Sequence, residues 1–123
     1  CINIPEVDSE ALLRTAVSRA YYAALLSVRR RIEAAQGSGA VPFSGSHAAI
    51  LQALRTRGGV FRQIYEELRT LQNHRNRADY ELFAEPLVRT EAVKLIGISR
   101  RLIRNRIVPV RDEEYRTLVI PRP

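Results

Sequence analysis

"SEALLRTAVSRAYYAALLSVRRRIEAAQ", residues 9–36, decides how this chain folds. Leu13, Val17, Ala20, Tyr21, Ala24, Val28 and Ile32 recur at helical spacing and make one apolar stripe. A second stripe, Leu12, Ala16, Ala23 and Leu26, is interrupted by Arg19. Asp8 or Ser9 suits an N-cap, and Glu10 suits the first turn. The pattern predicts one long helix. Because it is apolar on two faces, it is expected to pack against two neighbours and to be central to a bundle.

Working outward, "GSGAVPFSGSH" at residues 37–47 holds three Gly and one Pro and reads as a connection longer than most helix–helix loops. Ser46 is placed to cap a short second helix carrying Ile50, Leu51 and Leu54, which ends before Gly58 and Gly59. A third helix is predicted from about Val60 to Arg77. Its stripe is Phe61, Ile64, Leu68, Leu71, Arg75 and Ala78, so Arg75 stands in line with core residues. "EPLVRTEAVKLIGISRRLIRNR", residues 85–106, predicts a fourth helix with Pro86 where a missing N–H costs nothing. Val88, Ala92, Leu95, Ile96, Ser99, Leu102 and Ile103 form its buried face, and Arg100, Arg101, Arg104 and Arg106 suit its C-terminal dipole. Residues 107–123 alternate weakly, with β-branched residues and Pro, and are expected to lie extended. The fold class is therefore all-α: a four-helix bundle over residues 1–106, followed by an extended tail over 107–123.

At 123 residues the chain suits one core and one domain. No apolar run approaches the ~18 residues of a membrane span, and the N-terminus lacks a signal-peptide pattern, so a soluble, cytoplasmic protein without membrane contact is expected. One Cys excludes an internal disulfide framework or a Cys-based zinc site. The formal charge of +7 favours a polyanionic partner such as nucleic acid. An Arg-rich and Ala-rich composition with Lys94 as the only Lys also arises from GC-rich coding, so charge alone does not establish that partner.

The polar positions narrow the possibilities. Arg19, set among alanines, can approach a neighbouring helix closely and extend its fork to a carboxylate or phosphate, with Tyr22 nearby. Tyr21 falls in the main stripe and reads as core. Asp79 is a candidate partner for Arg19 or Arg75 in an interhelical bridge beside Tyr22 and Tyr80; the same residues also suit an anion-binding or catalytic site. The only two histidines, His47 and His74, titrate near neutral pH and are candidates for proton transfer. His74 points about 100° away from Arg75 round the helix and reaches a shared groove if the chain dimerises. Two histidines without a matching carboxylate pattern do not make a metal site, and neither a metal nor a cofactor is expected.

"SRAYYAALLSVRRRIEAA", then "SH" opening the second helix, then "LRTLQNHRNRADY" closing the third, resembles the HEPN family of small bacterial and archaeal helical proteins. The closest likeness is to the branch with a Ser-Arg-x-Tyr-Tyr-Ala signature and an Arg-x-x-Ala-Asp-Tyr ending. The resemblance implies a helical bundle, often a homodimer, often paired with a minimal nucleotidyltransferase as toxin and antitoxin. It also implies metal-independent cleavage of RNA by an Arg, a polar residue and a His four to six residues beyond the Arg. Arg75 and Asn76 match the first two positions, whereas Tyr80, Glu81 and Leu82 stand where the His belongs. Proton transfer would then fall to His74, His47 or a second subunit, with Tyr80 a poor base at its ordinary pKa of ~10. The alternative is a non-catalytic module that binds a nucleotide or the nucleotidyltransferase.

Overall fold

The computed structural model describes residues 6–43, 45–80 and 89–122, with side-chain detail for all of these except 6–10 and 77–80. Among the described residues, five α-helices follow in order: α1 (Glu6–Gln36), α2 (Ser46–Arg57), α3 (Arg62–Tyr80), α4 (Arg89–Leu102) and α5 (Asp112–Arg116). A 3-10 turn, Gly59–Phe61, leads into α3, and a π-helical turn, Ile103–Ile107, extends α4. No strand occurs among the described residues. The expected Asp8 or Ser9 cap lies inside α1, which starts at Glu6.

The core follows the main stripe of α1. Tyr21, Ala24, Val28 and Ile32 are fully buried and meet Leu54, Phe61, Ile64, Leu68, Leu71, Leu95 and Leu102. α1 packs against α3, α4 and α5, and α2 packs mainly on α3. Burying such side chains at ~1.5–3 kcal/mol each supplies the driving force for this arrangement. Where α1 meets α4, the buried Ser99 donates its hydroxyl to the Ala20 carbonyl at 2.7 Å. Small residues on both helices allow this close approach, which fixes the turn of α1 that carries Tyr21 and Tyr22. The second stripe of α1 is only partly covered: Leu12 is 60% exposed and Leu26 44%.

Gly45 (φ 71°) precedes α2 and Gly58 (φ 60°) closes it, the latter donating its N–H to the Leu54 carbonyl at 3.1 Å. Both sit in the left-handed region that favours glycine. Ser46 is the first residue of α2 rather than its cap, and the cap position is held by Gly45, which makes no side-chain capping bond.

The tail departs from the extended course expected of it. Residues 112–116 form α5, and Tyr115 and Leu118 are buried in the core cluster. The Tyr115 hydroxyl donates to the Ile107 carbonyl at 2.6 Å, while the Gln36 amide donates to the Tyr115 and Leu118 carbonyls at 2.8 Å. Arg31 pairs with Asp112 at 3.1 Å and donates to the Val110 carbonyl; Arg57 pairs with Glu114 at 2.7 Å. These polar bonds direct the tail, and the buried Ile107, Tyr115 and Leu118 anchor it.

Candidate functional site

α1, α2 and α3 converge around one aromatic cluster. Tyr22 projects from α1 and is 40% exposed, whereas its neighbour Tyr21 is 0% exposed. His47, one residue into α2, packs edge-on against both: its ring lies 5.2 Å from that of Tyr22 and 6.1 Å from that of Tyr21. Arg75 reaches in from α3, with Cζ 4.8 Å from the Tyr22 ring centroid and 5.7 Å from that of Tyr21. The aromatic faces hold the guanidinium by cation–π attraction. This accounts for an Arg in line with core residues: it crosses the edge of the core on two rings and keeps a half-buried charge at the groove.

Burial pushes the His47 imidazole below its ordinary pKa of 6.5, and the positive charges of Arg75 and Arg29 push in the same direction. The neutral imidazole therefore persists to lower pH than in a free histidine, leaving a ring nitrogen able to accept a proton. Beside it a shallow cavity of about 220 Å³ is lined by Tyr22, Leu25, Leu26, Arg29, Ser46, His47 and Ile50. A second groove runs between α2 and α3, where His47, Arg55, Tyr65, Arg69 and Gln72 line about 370 Å³. His47 thus lies at the junction of an apolar slot and a basic channel.

Among the residues singled out in the sequence, Arg75, Tyr22 and His47 come together. Asn76 is exposed at the next position of α3. Arg19 does not join them: it lines a different groove, between α1 and α4, with Ala16, Ala23, Ile96 and Arg100. His74 faces α4, with Nδ1 4.0 Å from a Glu91 carboxylate oxygen. The side chains of Asp79 and Tyr80 lie outside the described residues, so the predicted bridge to Asp79 does too. Among the described residues, no three His, Cys, Asp or Glu side chains form a metal-binding group. No helix there is long and apolar enough to cross a membrane.

Two participants escaped the sequence reading. Arg29 stands seven residues beyond Tyr22, two helical turns along nearly the same face, and that spacing was available as a signal. Arg69, six residues before Arg75 on α3, lines the basic channel, and nothing local distinguishes it from the other surface arginines.

An all-helical bundle with an arginine held on an aromatic cluster defines the class to which the sequence motifs pointed. The family model described as the HEPN domain matches residues 8–107. The chain belongs to the HEPN family. No curated protein and no solved structure matches it.

Proposed function

We propose that this HEPN protein acts on RNA as the effector of a toxin–antitoxin or defence pair, cleaving the strand without a metal ion. The observation that carries the reading is the convergence of Arg75, Tyr22 and His47 from three helices, with His47 kept neutral beside two cations. Strand cleavage needs a base for the 2′-hydroxyl and positive charge at the phosphate. His47 takes the 2′ proton, the 2′ oxygen bonds to phosphorus, and the phosphorus–5′ oxygen bond breaks. The departing oxygen takes a proton from water in the open groove. Arg75 holds the charge that builds on the phosphate oxygens, and Tyr22 offers a face on which a base can stack. His47 would thus fill the role that the family pattern gives to a histidine after Asn76, where this chain has Tyr80, Glu81 and Leu82.

In this reading the protein is a cytoplasmic homodimer whose antitoxin is a minimal nucleotidyltransferase. That departure at Tyr80, Glu81 and Leu82 favours a second reading: the same cluster binds a nucleotide or the nucleotidyltransferase without chemistry. Binding of single-stranded RNA to Arg75 variants tests the first reading. Arg75→Ala should weaken binding at least tenfold while the helical circular dichroism is retained, and Arg75→Lys should rescue little because a point charge cannot replace a planar fork. Full binding by a folded Arg75→Ala protein would remove the site.

A further inference from the structure

Two cavities meet at His47, and they differ in what they can hold. The slot of about 220 Å³ has Leu25, Leu26 and Ile50 in its wall, and Arg29 there is paired with Glu33 at 3.0 Å. It suits a base and offers little to a phosphate. The channel of about 370 Å³ between α2 and α3 is built by helical spacing. Ala48, Gln52 and Arg55 lie along one face of α2, and Tyr65, Arg69 and Gln72, at the same spacings of four and three, lie along one face of α3. From His47 to Arg55 the helix rises ~12 Å at ~1.5 Å per residue, so the channel leads well away from the histidine.

The arginines of this channel differ in their partners from others on the same helices. Arg57 of α2 pairs with Glu114 at 2.7 Å, and Arg62 of α3 pairs with Glu66 at 3.3 Å. Among the described residues no carboxylate lines the channel, and neither Arg55 nor Arg69 makes an ion pair. Arg69 instead donates to the neutral Gln72 side chain at 2.7 Å, which fixes its position and leaves its charge uncompensated. Such a guanidinium retains its charge for a phosphate. Tyr65 is half-buried: it packs against the core cluster and also lines the channel. Cations along a groove with an aromatic side chain between them are what a single strand needs, charge for its backbone and a ring for a base.

We infer that the α2–α3 channel seats the RNA strand on one side of the reacting phosphate, with Arg55 and Arg69 on backbone phosphates and Tyr65 stacked on a base, while the nucleotide on the other side places its base in the apolar slot. The inference rests on the functional reading above and adds to it the course of the strand. His47 then lies where the strand passes from one cavity to the other.

The test uses a short single-stranded RNA carrying 2′-methoxy groups, which removes the attacking hydroxyl and leaves the backbone charge. Its binding is measured over a range of salt for the wild type, Arg55→Gln, Arg69→Gln, Tyr65→Leu and, as a surface control, Arg62→Gln, with circular dichroism on each and cleavage of the unmodified strand alongside. Arg55→Gln and Arg69→Gln should each lower the slope of log affinity against log salt by about 0.7, the loss of one phosphate contact on a single strand, and Arg62→Gln should leave it unchanged. Tyr65→Leu should weaken binding by about fivefold or more and keep the slope, as loss of one stacked base implies. Unchanged slopes in both channel arginine variants, unchanged affinity in a folded Tyr65→Leu, or an equal loss in Arg62→Gln would each overturn the inference, and cleavage by the wild type would leave the functional reading standing. The expected slopes in a wild type that cleaves no RNA would uphold the channel and remove the chemistry at His47. A wild type that does not bind this RNA would remove both.

Discussion

Tyr21 and Tyr115 are both fully buried, yet their hydroxyls have opposite circumstances. Burial pushes the Tyr115 hydroxyl up to about 12, and its 2.6 Å bond to the Ile107 carbonyl makes it part of the fold. Tyr115→Phe should therefore cost about 1–3 kcal/mol, because it strands that carbonyl in the core, and urea denaturation should show a lower midpoint. An unchanged midpoint would mean that the bond contributes nothing. At His47 the sign runs through protonation. Its folded pKa lies below 6.5, so the unfolded chain takes up a proton first as pH falls, and the contribution of the neutral imidazole to stability is lost below that value.

The main helices were legible because each carries a long periodic stripe, and α1 carries two. α5 was not. Tyr115 stands among Asp112, Glu113, Glu114 and Arg116, and its burial depends on Gln36 and Arg57, which are distant in the sequence. The site was half legible for the same reason. Arg75 betrays itself as a charge in an apolar row, and Tyr22 lies beside the buried Tyr21. His47, by contrast, is delivered by a loop whose course no local pattern specifies. Arg19 was grouped with Tyr22 by closeness along the chain, yet three residues leave the two about 60° apart round the helix. That angle turns Arg19 toward α4 and away from α3. His74 is separated from Arg75 by the ~100° step and meets Glu91 instead.

For the whole molecule, the uncovered stripe of α1 bears on assembly. Leu12, Ala16, Arg19, Ala23 and Leu26 follow one another at spacings of four, three, four and three, the pattern by which helices pair, and both leucines are well exposed. A homodimer formed through this face would cover them by two-fold pairing. Light scattering should then show a dimer at micromolar concentration, and Leu12→Glu should shift it toward monomer without loss of helicity. A wild-type protein that remains monomeric would count against that interface. The most direct test of His47 as the general base is the rate of RNA cleavage by the purified protein across a range of pH, with a chelator present. Cleavage is expected at neutral pH, with a decline on the acid side centred below the ordinary histidine value of 6.5 as His47 becomes protonated. His47→Ala should lose cleavage and retain binding. Undiminished cleavage by His47→Ala, or no cleavage by the wild type at any pH, would contradict that role.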